Sequence, residues 1–81
     1  MNQQKIDEEI NVLASFAKNK LCPHIFKWKN RRYTVSAVNL VHKSKDGEAD
    51  IYHFAVSTTA GFYKISFNNK TLSWMLNEYW N

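Results

Sequence analysis

The fold class of this chain depends on residues 3–21, QQKIDEEINVLASFAKNKL. Apolar side chains recur there every three or four residues, which gathers them onto one stripe of a helix. The stripe consists of Ile6, Ile10, Leu13, Ala14, Ala17 and Leu21. Acidic residues begin the segment and Lys18 and Lys20 end it, which is the polarity that the helix dipole favours. The pattern predicts an amphipathic helix over about residues 3–20, ended by Pro23.

Beyond Pro23 the apolar period changes to two, which predicts strands. Five short strands, beginning with Phe26 and Trp28, are separated by turns expected at 29–31, 44–47, 58–61 and 68–70. These connections are too short for crossover helices, so we expect an antiparallel β-meander over about residues 24–80. A change of phase near Ala37 predicts a bulge or bend that coils the sheet into a half-barrel. The sequence therefore predicts one α+β domain over residues 1–81, with the N-terminal helix packed on a coiled five-stranded sheet.

Cysteine content and hydropathy bear on the compartment. Cys22 is the single cysteine, which excludes an internal disulfide and fits a reducing environment. No run of apolar residues resembles a signal peptide or a membrane span. We therefore expect a cytoplasmic protein without a membrane partner.

Positive charge is concentrated in one part of the chain. The net charge is +4, and the segment from Lys18 to Arg32 holds six cations and no acid. Four of them surround Trp28: Lys27, Lys29, Arg31 and Arg32. Cations beside exposed rings suit single-stranded nucleic acid, because they contact phosphates while rings stack on bases. Lys64 is a candidate addition, and the candidate rings are Phe62, Tyr79 and Trp80.

Two other interpretations of the basic segment stay open. Charged residues fill the exposed positions of any half-buried strand, and Lys also protects strand edges from aggregation. The same cations could instead meet an acidic protein surface.

The C-terminal aromatics suggest a different kind of surface. Tyr79 and Trp80 are residue types favoured as interface anchors, so they could form an interaction patch with an exposed sheet edge, including that of a homodimer. The alternative is that Trp80 closes the open end of the sheet. Trp74, by contrast, is expected in the core because it alternates with Leu72 and Leu76.

No catalytic or metal site is predicted. Cys22 and His24 would make half of a zinc site, but no second half follows at a ligand spacing. His42 and His53 are expected as cross-strand neighbours around the turn at Asp46 and Gly47, as any two polar-face residues of a hairpin would be. With two glycines the chain has no phosphate loop. The sequence predicts a protein that is not an enzyme and needs no cofactor or metal.

Four aromatic and aliphatic patterns resemble those of a family of small bacterial proteins of unknown function. They are Phe26-x-Trp28-x-x-Arg31-x-Tyr33-x-Val35, Tyr52-x-Phe54-x-Val56, Phe62-Tyr63-x-Ile65 and Leu72-x-Trp74-x-Leu76. The likeness covers about residues 12–80 and implies a shared β-meander rather than a shared activity. Some members occur near DNA-damage polymerases, which favours work on nucleic acid, but the resemblance transfers no catalytic residue and leaves the function unassigned.

Overall fold

The computed structural model describes residues 3–80, and these residues form seven β-strands and no helix. The strands are β1 Gln3–Ala17, β2 Lys20–Trp28, β3 Arg31–Thr34, β4 Ala37–Asp46, β5 Ala49–Thr58, β6 Gly61–Asn68 and β7 Ser73–Trp80. They form one antiparallel sheet in the order β3-β2-β1-β7-β6-β5-β4, curled into a half-barrel. The predicted α+β class is therefore wrong, because the described chain is all-β.

The helix expected over residues 3–20 is replaced by β1 and the turn that follows it. Ile10, Val12 and Ala14 alternate toward the core, whereas Leu13, a member of the predicted helical stripe, is 64% exposed. Lys18 and Asn19 have φ values of 53° and 61°, the pattern of the two-residue type I′ hairpin turn. The first half of β1 pairs with β7 and its second half with β2, so ladder hydrogen bonds replace those of a helix.

The sheet also has more strands than expected, partly because the single strand expected between the turns at 29–31 and 44–47 is divided into β3 and β4. The backbone N–H of Val35 donates to the His24 carbonyl at 2.8 Å, whereas that of Ser36 donates to the Ser57 carbonyl at 2.8 Å. The chain therefore changes partner from β2 to β5 between adjacent residues. The predicted bend near Ala37 is confirmed, and a register shift follows directly after it in the β4–β5 ladder.

The sheet covers its own core instead of being covered by a helix. The ring of Tyr63 on β6 lies 5.2 Å from that of Phe26 on β2 and 5.3 Å from that of Tyr33 on β3, measured between centroids. Because β2 and β6 are three positions apart in the sheet, these contacts require the sheet to curl. The buried cluster is Ile10, Phe26, Phe54, Val56, Tyr63, Ile65, Trp74 and Leu76, which confirms Trp74 as core. We call the side bearing this cluster the inner face and the opposite side the outer face.

The part of the chain that the structure describes offers no helix of the length and apolarity that a bilayer requires.

Candidate functional site

The predicted cations lie on the hairpin of β2 and β3 and on the turn that precedes it, residues 18–34, which we call the basic segment. Lys27 and Arg32 are directly opposite each other in the β2–β3 register. Both side chains are exposed, and both lie on the outer face because Phe26 and Tyr33 beside them point inward. Two side chains of equal charge thus project side by side into solvent.

Lys29 and Arg31 lie at the turn of the same hairpin, on either side of Trp28. Arg31 is opposite Trp28 in the register, and the Lys29 ammonium lies 4.9 Å from the centroid of the Trp28 ring. The indole Nε1 of Trp28 donates to a carboxylate oxygen of Glu8 at 3.2 Å. These contacts hold a half-buried ring between a cation and an acid. The hairpin therefore gathers the four predicted cations, with one pair on the outer face and one at the turn.

Opposite charges within residues 3–80 do not neutralise this segment. The ion pairs among residues 3–80 join Lys45 to Asp50 at 2.9 Å and Lys70 to Glu48 at 2.8 Å. Neither pair involves the basic segment. The residue opposite Lys27 on the β1 side is Asn11 rather than an acid. Lys27 and Arg32 are therefore exposed cations without an ion-pair partner among the described residues.

An open cavity of about 360 Å³ lies beside Lys27 and Arg32. Its lining includes Asn11 and two apolar residues of the outer face, Leu13 and Ile25. Leu13 leaves most of its side chain exposed to this cavity. The cavity thus has an apolar floor flanked by two cations. The floor can receive a sugar or a base while the cations contact phosphates.

Lys64 and the candidate rings lie elsewhere. Phe62 and Trp80 are opposite each other on the outer face of β6 and β7, and the Lys64 ammonium lies 5.4 Å from the centroid of the Trp80 ring. Tyr79 points to the inner face, where its ring lies 4.8 Å from that of Tyr63. The predicted patch of Tyr79 and Trp80 is thus divided between two faces. Because β6 and β2 are three strand spacings apart, about 14 Å, Lys64 does not join the basic segment.

Cys22 and His24 are not brought together with other ligands. The His24 ring nitrogen Nε2 shares a hydrogen bond with the Ser15 hydroxyl at 2.8 Å, and Cys22 is a partly buried free thiol. Among residues 3–80, no three His, Cys, Asp or Glu side chains are placed to hold a metal ion together.

His42 and His53 are stacked, with ring centroids 4.5 Å apart and planes inclined by 10°. This confirms their predicted position as cross-strand neighbours. The Nε2 of His53 also shares a hydrogen bond with the Ser44 hydroxyl at 2.8 Å. Burial lowers the pKa of His53, and the adjacent His42 and Lys64 lower it further because a second positive charge there is unfavourable.

Sequence reasoning missed the surroundings of this histidine pair. The two rings border a second cavity that also receives Asp7, Asn77 and Glu78. These residues lie on β1 and β7, and Asp7 is part of the segment predicted as a helix. Their meeting depends on register shifts in both strands, which no short sequence motif reveals.

Searches against protein-family models, curated proteins and solved structures return no match to this chain. The resemblance to the small bacterial family therefore stays a prediction.

Proposed function

We propose that this chain is a non-enzymatic module that binds nucleic acid, in single-stranded form, through the basic segment. The observation that carries the proposal is the unneutralised pair of Lys27 and Arg32, directly opposed on an exposed face. Like charges placed opposite each other destabilise a sheet. Two cations at these positions therefore cost stability, but they suit the adjacent phosphates of a polyanion.

The neighbouring features support a strand-like polyanion as the ligand. The apolar floor formed by Leu13 and Ile25 lies next to the outer-face cations, and Lys29 and Arg31 extend the charge to the end of the hairpin. Sugars and bases can contact the floor without base-specific hydrogen bonds, which favours binding with little sequence preference. Because Cys22 is a free thiol, we place this function in the reducing cytoplasm.

Fluorescence anisotropy with a labelled thymidine oligonucleotide tests the proposal. If the four cations of the hairpin each neutralise a phosphate, the slope of log K against log salt is about −3, since each contact to a single strand contributes about −0.7. Replacing Lys27 and Arg32 together by Gln should reduce the slope to about −1.4. The matched control replaces Lys5 and Lys43 by Gln, which removes the same charge from β1 and β4.

The control variant should bind nearly as the unaltered chain does. Equal losses of affinity in both double variants would mean that only net charge matters, which contradicts a site on the hairpin. Absence of binding at low salt would overturn the proposal itself.

A second candidate function is protein interaction through a sheet edge. The strand β4 forms one edge of the sheet, and its Leu40 and Val41 are 58% and 51% exposed. A ten-residue edge with exposed apolar side chains can pair with a second strand, including β4 of another copy. Light scattering over a concentration series tests the homodimer. A dimer that Val41→Lys dissociates would favour it, whereas a monomer at every concentration would count against it.

A further inference from the structure

The cavity beside the histidine pair is a cleft on the outer face that crosses five strands. Its volume is about 360 Å³, at the lower end of the range for small-molecule sites. Its lining consists of Asp7, Leu40, His42, His53, Phe54, Ala55, Lys64, Asn77 and Glu78. It lies apart from the basic segment, none of whose residues lines it.

A row of directly opposed residues gives the cleft its shape. Across β4, β5, β6 and β7 the register aligns Leu40, Ala55, Lys64 and Glu78. Ala55 is the smallest of the four, so the row dips at β5 and the larger side chains on either side form walls. The floor is therefore apolar and shallow enough to be filled by a larger side chain at position 55.

The charges of the cleft are separated by sign. The imidazoles of His42 and His53 lie on β4 and β5, and Lys64 follows on β6. The carboxylates of Glu78 and Asp7 lie on β7 and β1. His53 and Glu78 are two strand spacings apart, about 10 Å along the sheet. One end of the cleft can thus receive an anion and the other a cation.

The charged groups are not tied to each other. Lys64 is directly opposite Glu78, yet no ion pair joins them within residues 3–80, and the ammonium lies over the Trp80 ring instead. The Glu78 carboxylate accepts a hydrogen bond from the Gln3 amide. In the same part of the chain Asp7 has neither an ion pair nor a side-chain hydrogen bond to protein. Ligand groups can therefore bind Lys64 and Asp7 without first breaking a salt bridge.

Two strand irregularities bring the acidic end together. The β1–β7 ladder shifts register between Lys5 and Glu8, and Asp7 there has a φ of 52°. The β6–β7 ladder shifts at the same level and leaves Asn77 without a register partner on β6. Bulges redirect side chains, and these two adjacent ones direct Asp7 and Asn77 to the same cleft.

We propose that this cleft binds a small zwitterionic molecule, with its cationic nitrogen at Asp7 and Glu78 and its carboxylate at Lys64 and the two histidines. A ligand with one charge would satisfy one end and leave the opposite charges at the other end unused. A zwitterion satisfies both, because its carboxylate can lie over Ala55, between Lys64 and His53, while its nitrogen reaches Glu78 on the far side of Lys64. The cleft volume suits a molecule the size of an amino acid or a dipeptide.

His53 makes this binding dependent on pH. Because burial and its neighbours lower the pKa of His53, its imidazole is neutral at neutral pH and gains its charge only in more acidic solution. The affinity for the carboxylate of the ligand should therefore rise as the pH falls through the lowered pKa of His53.

Amide chemical-shift titration of the full chain with 6-aminohexanoate tests the proposal, with hexylamine and hexanoate as singly charged controls. We expect shifts at the cleft residues and an affinity for 6-aminohexanoate about fivefold or more above that for either control. Equal affinities for the three compounds would overturn the proposal, as would the absence of cleft shifts with all three.

Variants separate the two ends of the cleft. Lys64→Met should lower the affinity for 6-aminohexanoate about fivefold and leave the affinity for hexylamine unchanged. Glu78→Gln should also lower the affinity for 6-aminohexanoate about fivefold, but it should leave the affinity for hexanoate unchanged. Ala55→Leu should abolish binding by filling the floor, whereas Lys43→Gln, which lies outside the cleft, should not affect it. A Lys64→Met chain that folds and binds all three compounds as before contradicts the assignment. Oligonucleotide affinity should not change with Ala55→Leu, so this proposal and the proposed function can fail independently.

Discussion

Replacing Lys27 by Glu should make the fold more stable while it weakens nucleic-acid binding. Lys27 and Arg32 are directly opposed and exposed, so the substitution converts a repulsive cross-strand pair into an attractive one. Opposite charges at such positions contribute about 0.2–1 kcal/mol, and like charges cost a similar amount. The expected gain in the free energy of unfolding is about 1 kcal/mol, which raises Tm by roughly 4–8 °C in a domain of this size.

Thermal melts followed by circular dichroism at low and high salt measure the gain. The increase should be largest at low salt and shrink as salt screens the exposed charges. Arg32→Glu alone should give a similar increase, because it creates the same pair with the charges exchanged. The double variant places two acids opposite each other and should lose most of the gain, so the four proteins form a double-mutant cycle.

Binding should change in the opposite direction. Lys27→Glu removes one phosphate contact and adds repulsion, so the oligonucleotide affinity falls at low salt and the salt dependence becomes shallower. A variant that is less stable than the unaltered chain at low salt would refute the opposed placement of the two side chains. A variant that is more stable but binds oligonucleotide as before would refute the binding role of the hairpin.

Three further substitutions test the fold and its pH dependence. Asn19→Ala should lower stability by about 1 kcal/mol in a denaturant titration, because Asn19 has a positive φ that Ala tolerates poorly. Asn19→Gly should not lower stability, because Gly adopts positive φ readily. If the segment were a helix, Asn19→Ala would instead raise its stability. Ile65→Ala should cost about 2–4 kcal/mol because Ile65 is fully buried, whereas Leu72→Ala, at a 73% exposed position, should stay within about 0.5 kcal/mol. Burial, and to a lesser extent the neighbouring tyrosines, raises the pKa of Tyr63. Its neutral phenol therefore contributes fully to the free energy of unfolding below the ordinary tyrosine pKa of about 10, and this contribution is lost as the pH rises above that value. Denaturation midpoints measured from neutral to alkaline pH should therefore fall more steeply for the unaltered chain than for Tyr63→Phe.

The N-terminal segment is ambiguous at the level of sequence because it satisfies two periods at once. Ile10 and Ala14 belong to the helical stripe and also to the alternation that continues through Val12. The period alone cannot choose between them. Pairing with β7, which follows more than fifty residues later in the chain, favours the strand, so the apolar pattern of the segment does not decide its structure alone.

One local signal did distinguish the two outcomes. Lys18-Asn19-Lys20 and Lys29-Asn30-Arg31 both consist of Lys-Asn followed by a cation. The second was correctly predicted as a turn. Both Lys-Asn pairs adopt positive φ values at each residue. A Lys-Asn pair flanked by alternating apolar residues is thus a hairpin signal in this chain, and it outweighed the helical stripe.

The two candidate sites differ in how much of each could be predicted from the sequence. The cations of the basic segment are close in sequence and lie on one hairpin, so a local pattern was enough to gather them. The relation of Lys64 to them depends on sheet order, which the turns alone do not determine. The zwitterion cleft depends in addition on two register shifts, at Asp7 and Asn77, and each shift moves side chains from one face to the other.

The same change of fold class that removes the predicted helix also makes both sites possible. A helix packed on the sheet would have covered the inner face and buried Leu13, a member of its apolar stripe, against that face. As a strand, β1 instead carries Leu13 to the floor beside Lys27 and Asp7 to the cleft beside Glu78. Along β1 the residues paired with these two sites, Asn11 and Lys5, are six positions or about 20 Å apart. That separation exceeds the Debye length of about 8 Å at physiological salt, so the two sites should respond independently to substitutions of charge.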